Sequence, residues 1–202
     1  MMMMLLCGTE NLWNTHSSCT TVQIENLNFV ILNHLILNNM ELLNYKSKFY
    51  PKFQEEGNAS QFAIPFAKHF CKGYGLDIGC NRHEWALPGA IGVDLVFKDG
   101  NDAYQFEYEN LDFIYSSHCL EHLDDWVTAL DYWTSKLKRG GTLFLYLPHY
   151  DQVYWRPWNN RKHKHIFTQE IITDYMIDRN YDCIFSSGKD LNDSFMVVGE
   201  KM

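Results

Sequence analysis

Four short apolar runs constrain the fold of this chain more than any other feature: Gly75-Leu76-Asp77-Ile78-Gly79, Ala90-Ile91-Gly92-Val93-Asp94, Leu111-Asp112-Phe113-Ile114-Tyr115-Ser116 and Thr142-Leu143-Phe144-Leu145-Tyr146-Leu147. Each is too short for a helix and is rich in branched or aromatic residues, the pattern of strands covered on both faces. Between the last two runs, Trp126, Val127, Leu130, Trp133 and Leu137 recur at three- and four-residue steps and predict a helix. Asp124 or Asp125 is placed to cap it, Lys136, Lys138 and Arg139 favour its negative end, and Gly140-Gly141 is expected to stop it. A second helix is expected over 168–179, with Ile171, Ile172, Tyr175 and Met176 facing inward. The last apolar segments, Tyr181 to Ser186 and Ser194 to Gly199, read as a closing hairpin joined through Ser187-Gly188-Lys189-Asp190. Alternation of strands and helices predicts an α/β layer architecture.

A chain of 202 residues suits one domain with one ordinary core. Its 17 Lys+Arg against 25 Asp+Glu leave a formal charge of −8, which argues against a large nucleic-acid footprint, since phosphate neutralisation needs clustered cations. The six cysteines include no Cys-x-x-Cys pair, so a zinc ribbon is not expected and reduced thiols in a cytoplasmic protein are. Met1 to Leu6 lacks a basic flank, and the apolar stretch Phe29 to Leu37 is broken by Asn33 and His34. That stretch falls short of the ~18 apolar residues a membrane span needs, so no membrane segment is expected. The Asn-rich residues 1–39 are expected to form a peripheral or disordered extension, and 40–202 a single domain.

In an open α/β sheet, ligands bind beyond the carboxyl ends of the strands, where strand order reverses. Gly79 follows the first run, where a missing side chain lets a ligand approach the backbone. Asp94 ends the second run, where a carboxylate can accept hydrogen bonds from both hydroxyls of a ribose. Asp77 can brace the loop or meet a ligand ammonium group. Alone, these three residues fit a nucleoside site and also a tight turn followed by an ordinary strand-end carboxylate.

In order along the chain come Leu76-Asp77-Ile78-Gly79-Cys80, Gly92-Val93-Asp94, Asp102-Ala103, then Asp112 through His122 (Asp-Phe-Ile-Tyr-Ser-Ser-His-Cys-Leu-Glu-His), and finally Leu137-Lys138-Arg139-Gly140-Gly141-Thr142. This series resembles the class I S-adenosylmethionine-dependent methyltransferases, and within them the type 11-like small-molecule group. The resemblance implies an α/β, Rossmann-like sheet of seven mostly parallel strands with an antiparallel C-terminal hairpin and helices on both faces. It implies S-adenosyl-L-methionine as cofactor. Asp77 and Gly79, with Cys80 and Asn81 after them, would border its methionine part; Asp94, with Leu95, would hold the ribose. Asp102 and Ala103 would lie beside the adenine, and Ser117 and His118 over the sulfonium. Two departures stand out. Asn81 occupies a position where the family usually has glycine, although asparagine tolerates the left-handed conformation better than most residues. Only 14 residues separate Gly79 from Asp94, and Pro88-Gly89 lies among them, so no full helix is expected there.

His118-Cys119-Leu120-Glu121-His122 also fits the His-x-x-Glu-His pattern of inverted zinc peptidases, whose two histidines sit on one helix. Here the motif follows a strand directly, so Glu121 and His122 are read as structural and no metal is expected. Pro148 to Phe167 carries four Lys/Arg against one acid, together with His149, Tyr150, Trp155, Arg156 and His163. In an acidic chain this reversal of sign reads as a substrate loop, in which Tyr150, Trp155, Arg156 and His163 would contact the acceptor, or as a solvated basic loop. His149 and His118 are the candidate general bases, because imidazole titrates near neutral pH. The expectation is therefore methyl transfer to a small polar acceptor, a hydroxyl of a sugar, sugar nucleotide or related metabolite, with neither nucleic acid nor membrane as partner; a homodimer is compatible with it. The alternatives are a non-catalytic binding protein on the same fold and, less favoured, a zinc hydrolase.

Overall fold

A computed structural model of the protein describes residues 41–45, 47–55, 57–152 and 162–202. The expected extension over 1–39 lies outside the described residues, as do Trp155 and Arg156. A small antiparallel pair, β1 (Leu42–Tyr45) and β2 (Lys48–Pro51), stands apart from the main sheet. Helix α1 (Ser60–Phe70) follows, then β3 (Gly75–Ile78), β4 (Ile91–Val93), β5 (Leu111–Ser117), α2 (Trp126–Lys136), β6 (Leu137–Pro148), α3 (Gln169–Asp178), β7 (Tyr181–Ser186) and β8 (Ser194–Lys201). The main sheet has the order β4-β3-β5-β6-β8-β7. Strands β3 to β6 run parallel, and β8 is antiparallel to both of its neighbours, so the closing hairpin is present. Among the described residues no helix is long and apolar enough to cross a membrane.

Alternation along the strands divides the core in two. Ile78, Ile114, Leu143, Leu145 and Val197 face one side, where they meet Leu130 and Trp133 of α2 and Ile172 and Met176 of α3. Phe113, Tyr115, Phe144 and Tyr146 face the other, against Phe62, Ala63, Phe66 and Ala67 of α1. Helices therefore cover both faces, one aliphatic and one aromatic. Helix α1 was not among the expected elements, although Phe62, Ala63, Phe66 and Ala67 fall at helical spacing, and it tolerates Pro65 within it.

Three expectations need correction. Among the described residues the main sheet has six strands rather than the expected seven. Residues 94–110, leading from β4 to β5, form turns and a single bridge, Asp102 to Gln105. Carboxylates of Asp94, Asp99 and Asp102 each accept backbone N–H groups two residues on, at 3.0, 2.9 and 2.7 Å, which closes turns where an edge strand would need open backbone. Second, α2 is capped by Asp125 and ends at Lys136, because Leu137 turns extended (φ −72°, ψ 136°) and starts β6. Gly140 and Gly141 consequently lie within β6, beside a register shift between Leu111 and Phe113. A Cβ on Gly141 would meet the Leu111 carbonyl at 3.0 Å. Third, Ile171 is exposed, while Ile172, Tyr175 and Met176 are buried as expected.

Candidate active site

Strand order reverses at β3, which pairs with β4 on one side and β5 on the other. Ligands gather at such a crevice, and a cleft of about 700 Å³ opens there. It is lined by Asp77, Gly79, Cys80, Asn81, Asp94, Leu95, Ser117, His118 and His163 of the expected site residues. The connection from β3 to β4 contains only a short turn, His83–Trp85, so the expected absence of a full helix holds.

The β3–β4 side is shaped by backbone. Gly79 adopts φ +87°, and a Cβ there would stand 2.4 Å from the Cys119 Cβ. Both the conformation and the approach of the next loop demand glycine. Asn81 adopts φ 62°, the left-handed conformation that asparagine tolerates. Its N–H donates to Asp94 Oδ2 at 2.7 Å, and the Val96 N–H donates to Oδ1 at 3.0 Å. The carboxylate is thereby oriented at the cleft, and each oxygen retains a lone pair for a ligand. Asp77 accepts the Leu87 N–H at 2.7 Å and is buried, which pushes its carboxyl up to about 7; the Leu87 hydrogen bond opposes the shift and the Asp94 charge adds to it.

The β5 side is shaped by side chains. His118 follows β5 in a left-handed conformation (φ 50°), its N–H donating to the Tyr146 carbonyl at 2.9 Å. Its Nε2 lies 3.0 Å from Ser194 Oγ, and its Nδ1 lies 3.5 Å from Glu121 Oε1. Burial, with His163 and His122 nearby, pushes the ring down to about 3, so it is neutral at pH 7. Glu121 is fully buried and pushed up to about 7 by that burial, with His122 opposing the shift. The His-x-x-Glu-His run occupies a left-handed residue and one short turn, Leu120–His122, rather than the helix that a zinc peptidase requires.

Other expected residues lie elsewhere. Ala103 is held by the Trp133 Nε1–H, which donates to its carbonyl at 2.7 Å, and Asp102 closes its own turn; neither lines the cleft. His149 follows β6, its Nδ1 2.7 Å from Asp151 Oδ1, and neither it nor the exposed Tyr150 lines the cleft. The sequence reading missed Asn58, Ala59 and Ser60 at the start of α1, as well as Trp85, all of which line the cleft; Lys162 and Lys164, from the basic stretch 148–167, line it too. The first three carry no local signal: Ala59 is the residue ahead of the helix and no side chain caps it, while the Ser60 hydroxyl donates to Asn58 Oδ1 at 2.8 Å. Glu121 and His122, read as structural, also line it.

A family model described as a methyltransferase domain matches residues 56–184, nearly two-thirds of the chain. The chain belongs to that methyltransferase family. The resemblance drawn from the motifs is borne out, and with it the cofactor class, S-adenosylmethionine. Solved structures share the fold. A SAM-dependent methyltransferase from Archaeoglobus fulgidus is 18% identical with a TM-score of 0.56, covering 73% of this chain and 94% of that one. The N-methyltransferase NodS from Bradyrhizobium japonicum WM9, in complex with S-adenosyl-L-homocysteine, is 16% identical with a TM-score of 0.54, covering 74% and 88%. Geranyl diphosphate C-methyltransferase from Streptomyces coelicolor A3(2) is 10% identical with a TM-score of 0.55, covering 70% and 76%. The sequence matches no curated protein.

Proposed function

We propose that this methyltransferase acts on a small polar acceptor, a hydroxyl of a sugar, sugar nucleotide or related metabolite, within the cleft at the β3–β5 crevice. The observation that carries the reading is the Asp94 carboxylate, fixed by two backbone N–H groups on the same cleft as Gly79 and the Ser117–His118 corner. A side-chain-free bend at Gly79, packed against Cys119 and lining the cleft, and a carboxylate with lone pairs to spare fit an adenosine-bearing cofactor. Asp94 holds the ribose hydroxyls, Asp77 faces the ammonium group, and Gly79 and Asn81 pass close to the methionine part. The cofactor supplies an already electrophilic methyl group, so the protein's task is alignment and removal of the acceptor proton.

His118 is favoured over His149 for that proton, because it lines the cleft and His149 does not. Its ring is neutral at pH 7, but the burial that holds it near 3 makes it a weak base in the free protein, so this role relies on Glu121, 3.5 Å from Nδ1, to stabilise the imidazolium that forms. Lys162 also lines the cleft and favours an acceptor that carries an anionic group, whereas Lys164, on the same cleft, is paired with Asp124. His163 lies beside them; Tyr150, Trp155 and Arg156 are kept as proposed substrate contacts.

Calorimetry with S-adenosylhomocysteine tests the cofactor site, and a screen of hydroxylated acceptors with radiolabelled methyl donor tests the reaction. Expected are one equivalent bound, binding weakened by about 10–100-fold in Asp94→Ala, and label in a sugar-type acceptor. Absence of binding would overturn the reading, and binding with no acceptor ever labelled would favour the non-catalytic alternative.

A further inference from the structure

We infer that Glu121, His122 and His163 form a binding site for one divalent transition-metal ion of the zinc class on the β5 side of the cleft. Glu121 is 0% exposed, and neither carboxylate oxygen accepts a hydrogen bond from another described residue. A buried carboxylate left without donors is costly, and coordination to a cation is one of the few arrangements that satisfies it. Its Oε1 lies 3.8 Å from His122 Nε2 and 4.0 Å from His163 Nε2, and the donor atoms of the three residues fall within 4.8 Å of one another. Ligands bound tetrahedrally at zinc distances stand roughly 3.3–3.4 Å apart, so closure onto an ion draws these donor atoms together by about 0.5 to 1.4 Å, within the reach of side-chain rotation.

The surroundings are prepared for it. His122 Nδ1 lies 3.0 Å from the Lys162 carbonyl oxygen. A carbonyl only accepts, so Nδ1 carries the ring proton and Nε2 presents its lone pair toward Glu121, the tautomer that a metal-binding histidine needs. The Glu121 carbonyl in turn accepts the Lys164 N–H at 2.7 Å, tying the segment that bears His163 to the turn that bears the other two ligands. His118 is not one of the three; its Nε2 is engaged with Ser194 while Nδ1 faces the same carboxylate. The ligand pair therefore differs from the two histidines that the His-x-x-Glu-His pattern would use.

Two imidazoles and one carboxylate suit zinc-class ions rather than magnesium or calcium. Three protein ligands leave a coordination position open, and all three residues line the cleft. In the role that rests on the proposed function, this position takes an oxygen donor of the acceptor and makes its hydroxyl more acidic beside His118.

The test uses the full chain, stripped with a chelator, dialysed and titrated with Zn²⁺ by calorimetry and with Co²⁺ by visible absorption. The expected result is one equivalent of each with a tetrahedral-type Co²⁺ spectrum, at least tenfold weaker binding in His122→Ala and in Glu121→Gln, and unchanged binding in His69→Ala, which removes an exposed histidine of α1. S-adenosylhomocysteine affinity measured on the same variants reports whether they are folded and tests the cofactor site separately. Absence of stoichiometric binding would overturn the inference. So would full affinity in folded His122→Ala, loss in His69→Ala, or equal affinity for Mg²⁺.

Discussion

On the β3–β4 side of the cleft the functional geometry comes from the main chain: two left-handed residues, Gly79 and Asn81, and two N–H groups that aim Asp94. On the β5 side it comes from packed side chains, with His118, His122 and His163 around the fully buried Glu121. The contrast follows from the tasks. A nucleoside is gripped by close backbone approach and one oriented carboxylate, which needs few residue types. An acceptor must be oriented and deprotonated, which needs titratable groups whose environments differ from water.

Substitutions can break this division of labour. The largest effect is expected from His118→Ala, which should lower turnover with the acceptor found by screening by about 10²–10⁴, the range of general acid–base catalysis. S-adenosylhomocysteine affinity in that variant should stay within about threefold, and a comparable loss of both would erase the distinction between the two sides. Gly79→Val comes next: at φ +87° and 2.4 Å from Cys119, the new side chain must displace the bend, and if the ~1–3 kcal/mol of strain is relieved that way S-adenosylhomocysteine should weaken by about 5- to 150-fold. Calorimetry, with thermal unfolding as the control for folding, measures this. Asp94→Ala should cost about 10–100-fold in the same assay, the worth of one or two hydrogen bonds to a charged group.

A pH series sharpens the comparison further. Burial holds Asp77 near 7 in the free protein, so it is ionised above that pH and protonated below it. Only the ionised form attracts an ammonium group. Cofactor-product affinity should therefore fall as the pH drops below about 7, by up to about tenfold per unit, and Asp77→Asn should flatten the profile. A flat wild-type profile would remove Asp77 from the site. The smallest effect is expected from Asn81→Gly. Glycine occupies φ 62° without strain and keeps the N–H bound to Asp94, so affinity should remain within about threefold of wild type.

The two sides also differ in how far the sequence reveals them. The Leu76–Cys80 and Gly92–Asp94 runs display the backbone-built side directly, because short strands, a glycine bend and a strand-end acid are local patterns. Asn81 looked like a departure, yet its left-handed backbone does what a glycine would. Helix boundaries were legible to within a residue or two where caps existed, as at Asp125 and Thr168. The seventh strand failed because side-chain bonds from Asp94, Asp99 and Asp102 close turns locally, which no apolar pattern records. The β5 side was legible only in part. His118 and His163 were picked out, but their convergence on Glu121 depends on the segment 162–165 hydrogen-bonding back to residue 121. Asp102 and Ala103 were placed by motif order and His149 by its position after a strand end; none of the three lines this cleft, with the Ala103 carbonyl held by Trp133 and His149 engaged by Asp151.

A crystal structure of the full chain with S-adenosylhomocysteine tests the central claim most directly. The account predicts ribose hydroxyls within hydrogen-bond distance of Asp94 and the sulfur facing the Ser117–His118 corner. A nucleoside bound away from Asp94, or a cleft into which it cannot enter beside Gly79, would contradict it.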